Sequence, residues 1–529
     1  DRLRSRGLGD VYKRQIYTKG GFYNKWYGNN WLKLNVEDDF FMLKTQNSYN
    51  IPRRYFENGL TYNGLGSKGL CFRFLEDNTL FDMGSSAVFG THTYFLLGVL
   101  NSTLIKYSCN CLNPTVNVQP IDVERLPFID ICTICSEAIG DVENLSEQNV
   151  KIKKLLCKNS LIEPLFEQSP IRNDGDIGVS IFIYFHSENA LLTQILLNES
   201  IINKIVFDIY ELSDHDKKMV LDKEGIPVGN LPVSHEAKVA YKQWLMLESN
   251  FKPNDKVLVH LDSLEECDDL PNITDFDTLY QKNNEWEEFC IKHKMNPIEV
   301  WYQFRNAGIL PPQRTQVLAF ELITDVIRSV LAKDDDGVIP LTERMGEEQL
   351  AGRIEQELVE RGYNSAQISQ IIQLLGTPLD KYLQDKFFKQ LSDHLNLFMY
   401  LPKTPFIWHL TSGPHHAIEL YISIYKWSRD TLFRIKSVYI ANRETALNDR
   451  LSGVDISTTN GKLEAAELKE QLKELKVFAE KIDQLLASGY DPKLDDGVGK
   501  NIAPLQKAGL LSYEVLNAGQ LKKYLNADW

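Results

Sequence analysis

From Phe22 to about Phe128, aromatic and β-branched positions alternate with polar ones in short runs. Turn residues break those runs at Gly28-Asn29-Asn30, Asn58-Gly59, Asn63-Gly64 and Asp77-Asn78. A period of two interrupted this often predicts short strands joined by tight turns, hence a β-rich domain over residues 16–130. Within it, residues 94–104 switch to helical spacing. Beyond residue 130 the helical period dominates. Helices are expected at 145–160 and at 187–212, where Leu191, Ile195, Ile202 and Val206 share a face. Residues 215–300 are mixed and acidic. Helical spacing returns at 316–331, 346–361 and 379–397, then over 415–450 and 463–487. In the last stretch Leu468, Leu472, Leu475, Phe478, Ile482 and Leu485 advance by three or four residues as one apolar stripe. The stripe is shorter than four heptads, which favours a helix pair folded back on itself over an intermolecular coiled coil. The expected fold class is α+β: a β-rich domain at 16–130, a helical spacer at 131–215, a mixed then helical region at 216–400, and a helical domain at 401–529.

Composition narrows the class. A chain of 529 residues with 43% hydrophobic and 25% charged residues is globular and long enough for several domains. Its net charge of −14 argues against indiscriminate binding to nucleic acid or anionic membranes. Residues 16–135 hold ten Lys/Arg and ten Asp/Glu, so this segment is neutral while the remainder carries the acid. Any DNA contact is therefore expected near the start. No membrane partner is expected, and the eight cysteines fit a reducing cytoplasm better than a disulfide scaffold. Cys109, Cys111, Cys132 and Cys135 have poor spacing for zinc and are read as ordinary thiols. His415, His416 and Glu419 lack a further placed ligand, so no metal is expected there either.

The catalytic tetrapeptide of base methylation is missing from the sequence. Methylation of a base amine needs a Gly-rich loop for the methyl donor and an Asn/Asp-Pro-Pro-aromatic tetrapeptide. Asn113-Pro114-Thr115 and Asn296-Pro297-Ile298 lack the second proline and the ring, and no Walker loop or H-E-x-x-H occurs. No catalytic residue is therefore nominated, and these residues alone read as a binding module. Residues 1–15 (DRLRSRGLGDVYKRQ) look like translated linker and are expected to lie outside the fold, whereas KKYLNADW reads as a natural end.

Several blocks together resemble the adenine-specific DNA methyltransferases of BREX (bacteriophage exclusion) systems. KGGFYNKWYGNNWLKLN (19–35) and NIPRRYFENGLTYNGLGSKGLCFRF (50–74) resemble the opening blocks of the family's target-recognition domain. YFLLGVLNSTL (94–104) and LNPTVNVQPIDVERLPF (112–128) resemble the close of such domains, a helix ending in Leu-Asn-Ser and then a strand ending in Leu-Pro-Phe. NESIINKIVFDIYELSDHD (198–216), TPFIWHLTSG (404–413) and residues 490–529 resemble later blocks, the last being the most specific. The resemblance implies the carboxy-terminal part of an enzyme that uses S-adenosylmethionine to methylate adenine N6 in phage defence. The catalytic domain would lie outside this chain, which would itself hold no cofactor. Implied partners are double-stranded DNA, the enzyme's own methyltransferase domain and other subunits of the system. A stand-alone specificity subunit and a single-chain restriction-methylation enzyme are the alternatives.

A reading surface needs cations for phosphates and planar or bidentate groups for base edges. The candidates are Lys25, Tyr27, Asn29, Arg53, Arg54, Tyr55, Lys68 and Arg73. Arg53 and Arg54 follow Pro52, which predicts an extended or turn conformation with both guanidinium groups outward. Trp31 and Phe56 are expected to be core or half-buried strand residues, and Trp408, His409 and the Asp495-Asp496-Gly497 turn to be structural.

Overall fold

The computed structural model describes residues 14–36, 57–66, 68–81, 83–282, 284–341, 348–398 and 401–527. It divides into two compact units, Gly7–Leu318 and Ala319–Trp529.

In the first unit the strands are short, as the turn spacing requires. β1 (Arg14–Thr18) pairs antiparallel with β2 (Leu32–Asn35) and parallel with β5 (Leu80–Phe81). β3 (Gly59–Tyr62) lies between β4 (Phe72–Leu75) and β6 (Ala87–Val88), antiparallel to both. Every residue of β3 and β4 is buried, so these strands are covered on both faces. The expected linker boundary at residue 15 falls inside β1, where Arg14 and Gln15 face Asn35 and Leu34.

The single helix expected at 94–104 is two. Thr93–Leu100 stops at Asn101, and Ser102 caps a second helix, Thr103–Leu112. The break has a cause: the Asn101 amide accepts from Phe72 N (2.8 Å) and donates to Phe72 O (3.0 Å), standing in for a neighbouring strand. A strand ending in Leu126-Pro127-Phe128 does not form. Its place is taken by a lone Leu65–Asn117 bridge and the turn of helix Pro120–Glu124, capped by Asp122.

The helices of this unit surround Ile177–Ile209, a 33-residue helix whose start is capped by Asp176. By length and apolarity it passes for a membrane span, yet 78% of its most apolar window is buried against its own unit. Its buried polar residues are matched inside the protein: Asn198 donates to Gln148 (2.9 Å) and Asn149 (2.8 Å) on helix Ser136–Cys157. That helix also receives Thr93–Leu100, where a Cβ on Gly98 would come within 2.5 Å of Val142 and Ser146. Only glycine permits this approach.

The second unit has a sheet that the apolar spacing concealed. β8 (Ile407–Thr411) and β9 (Glu419–Ser423) pair antiparallel, and β7 (Val338–Pro340) adds on the far side of β9. The helix expected over 415–450 begins only at residue 431, because the preceding residues are β9 and its turn. Helical residues 431–453 turn back through 454–458 into Thr459–Ala487. On the latter Leu468, Leu475, Phe478, Ile482 and Leu485 are buried, in one core with Trp408, Leu410, Leu420 and Ile422 of the sheet. The carboxy-terminal block adds helices Gly497–Lys507 and Ala518–Leu525. Asn501 clamps Lys493 through both backbone groups, and the Tyr524 ring lies so close to Gly499 that a Cβ there would be 2.7 Å from it.

Candidate functional site

Residues 23–31 (YNKWYGNNW) form a twisted segment, with φ in the left-handed region at Trp26 (74°), Gly28 (127°) and Asn29 (62°). Its backbone is attached to the edge of β4: Trp26 N donates to Phe72 O (3.0 Å) and Phe74 N to Trp26 O (2.8 Å). Those two bonds place Lys25 and Trp26 toward helix Ile177–Ile209. There Glu199 accepts from Lys25 Nζ and from Trp26 Nε1, each at 2.7 Å. Glu287 lies 3.7 Å from the same ammonium. Burial alone would lower the Lys25 pKa, but Glu199 and then Glu287 outweigh it and hold it well above the ordinary lysine value. Trp31 repeats the device by donating to Glu163 at 2.8 Å.

The other candidates in this segment also turn inward. Tyr27 is 1% exposed; its hydroxyl donates to Glu76 (3.3 Å), and its pKa is raised by burial. Asn29 is buried; it donates to Phe22 O (2.8 Å) and accepts from Asn24 (3.3 Å). Arg73, on β4 opposite Thr61, is fully buried, and none of its three guanidinium nitrogens has a hydrogen-bond partner. Burial lowers its pKa. Lys68 faces solvent over the Tyr23 ring (5.9 Å) and pairs with Glu288. Arg53, Arg54, Tyr55 and Phe56 lie outside the described residues.

The structure thus brings Lys25 and Lys68 to one cleft of about 540 Å³, edged by Tyr23, Trp26, Lys153, Lys282, Tyr280 and Arg314. Tyr27, Asn29 and Arg73 are not on it. Six glutamates line the same cleft: Glu163, Glu188, Glu199, Glu285, Glu287 and Glu288. Arg314 is paired too, with Glu188 at 3.0 Å. These carboxylates are what sequence reasoning missed. Glu163 and Glu199 lie 132 and 173 residues from the indoles they bind, and no local spacing marks them. The cleft is a lattice of ion pairs rather than a basic groove.

Cys109 is buried and Cys111, Cys132 and Cys135 are exposed, and no group of three His, Cys, Asp or Glu among the described residues is arranged to hold a metal ion.

No protein-family profile matches the chain. It is, however, a distant homologue of adenine-specific methyltransferases. One is the adenine-specific methyltransferase BrxX of Escherichia coli O9:H4 (strain HS), 23% identical over 527 residues. That alignment takes in 92% of this chain and 39% of the relative. Another is the adenine-specific methyltransferase PglX of Lacticaseibacillus casei (strain Zhang), 22% identical, covering 93% of this chain and 38% of the relative. The chain spans well under half the length of both.

Proposed function

We propose that this chain is the DNA-recognition and carboxy-terminal part of a site-specific N6-adenine DNA methyltransferase that marks self DNA in a BREX phage-defence system in the cytoplasm. The carrying observation is an alignment through nearly the whole chain to enzymes more than twice as long, both of them adenine-specific methyltransferases. A sequence without the catalytic tetrapeptide supports the same reading. The methyl donor, S-adenosylmethionine, would then be held by a methyltransferase domain outside this chain. The role of the present residues is to bind duplex DNA and orient it toward that domain, alongside other subunits of the system. Residues 19–128 carry the reading, with Arg53, Arg54 and Lys68 as the contacts it favours. Lys25, Tyr27, Asn29 and Arg73 shape the segment from inside.

The test uses the purified chain with duplex DNA and S-adenosylmethionine labelled in its methyl group. We expect salt-sensitive DNA binding and no label incorporated above a protein-free control. Incorporation would show that the chemistry lies in this chain and overturn the division of labour. Absence of any DNA binding at low salt would overturn the recognition role.

A further inference from the structure

The two lysines that the sequence nominates for phosphate contact face adjacent carboxylates, one each. Lys25 lies 3.7 Å from Glu287, and Lys68 pairs with Glu288, in the first turn of helix Trp286–His293. The two links differ in kind. Lys25 is held chiefly by half-buried Glu199 at 2.7 Å, with side-chain exposures of 16% and 12%. Lys68 and Glu288 are 40% and 28% exposed. A pair so open to water contributes no more than about 1 kcal/mol and exchanges readily. A phosphate oxygen offers the Lys68 ammonium the same geometry as a carboxylate.

We infer that Glu288 occupies the place of a DNA phosphate at Lys68, with Glu287 beside it adding to the acid, so that this edge of the cleft is a phosphate-binding site masked by its own acid until duplex DNA displaces it. This rests on the reading that the chain binds DNA. The arrangement gives a reason for an acidic lining beside a reading domain: weak non-specific contacts must first break an ion pair, which lowers affinity for random sequence. Non-specific binding is almost wholly electrostatic, so a cost set on a phosphate contact falls on it directly. The competing explanation is that acid in a helix's first turn only complements the helix dipole.

The two are separated by measuring affinity of the full chain for a labelled mixed-sequence duplex across a salt series. With Glu287→Gln/Glu288→Gln we expect binding at low salt to tighten by about threefold to tenfold, and log K against log salt to steepen by about one, the signature of an added phosphate contact. Adding Lys68→Met should return the slope to that of the parent. Glu236→Gln/Glu265→Gln, which removes two exposed carboxylates elsewhere in the same unit, controls for net charge and should leave the slope unchanged. If the parent binds and the Glu287/Glu288 variant has the same slope, the mask is refuted while DNA recognition stands. If neither binds at low salt, both readings fail together.

Discussion

Lys25 in the first unit and His409 in the second are both basic side chains taken out of water, and they end in opposite charge states. Lys25 has Glu199 at 2.7 Å and Glu287 at 3.7 Å, and its ammonium is held far above the usual range. His409 is fully buried, stacked on Tyr421 with ring centroids 4.4 Å apart and planes at 5°. A carboxylate is near it also, Glu419 at 3.6 Å from Nε2, but beyond hydrogen-bond reach. The oxygens of Glu419 are engaged elsewhere, by His416 at 3.0 Å and Gln384 at 2.9 Å. Burial therefore decides, and pushes the His409 imidazole down to about 3. Nearness of opposite charge is not enough. What keeps a buried base charged is an acceptor whose lone pairs are directed at it. The first unit supplies such acceptors from distant helices, whereas the second buries its base neutral among rings.

The largest expected effect breaks the charged case. Glu199→Ala removes the acceptor from both Lys25 and the Trp26 indole, leaving a half-buried ammonium and a buried N–H without it. Loss of one partner from a buried pair costs about 3–5 kcal/mol, toward the lower end here because Glu287 remains. The denaturation midpoint of the first unit should fall accordingly. Glu199→Gln, which can still accept from the indole, should lose less. Equal losses in the two variants would mean that the charge on Glu199 is irrelevant and the contrast with His409 is wrong.

This contrast also marks what could be read from sequence. The α+β class and the helix at 463–487 were legible because both depend on local period: strand alternation in one, a three-and-four apolar stripe in the other. The structural character expected of Trp408 and His409 follows from β8, where both are buried. β9 was not legible. Its five residues, ELYIS, are buried on both faces, so no polar alternation separates them from the helix that follows. The placement of the candidate reading residues was illegible for a different reason. Lys25, Tyr27 and Asn29 have the side chains a DNA surface uses, and only partners such as Glu199 and Glu76, far along the chain, turn the first two inward. Composition finds the chemistry of such residues but not the direction they face.

The neutral case is tested by pH. The folded pKa of His409, about 3, lies below its unfolded value near 6.5, so between these pH values the unfolded chain binds the proton and the folded one does not. Stability from this group is fully present above about pH 6.5 and is lost as pH falls toward 3. Between pH 7 and pH 4 the loss should amount to about 3 kcal/mol. His409→Phe keeps a ring against Tyr421 and has no proton to take up. Its thermal midpoint should therefore fall less than that of the parent over the same range. A parallel decline in the two proteins would mean that His409 is already paired, and would erase the distinction between the units.

Arg73 is the intermediate case, a permanent charge buried like Lys25 but without acceptors like His409. It is 0% exposed on β4, and its Nε and both terminal nitrogens have no hydrogen-bond partner. The nearest carboxylate influence, Glu163, directs one oxygen to Trp31, while the other has no hydrogen-bond partner. A guanidinium in this state bears its desolvation cost without return, so an apolar side chain of similar length should be better tolerated than the native one. Arg73→Met is expected to stabilise the first unit by about 1–2 kcal/mol, read as a higher urea midpoint with unchanged slope. Arg73→Lys should not share the gain, because it keeps the charge. A destabilised methionine variant would mean that water or another group pairs with the guanidinium, and Arg73 would then belong with Lys25.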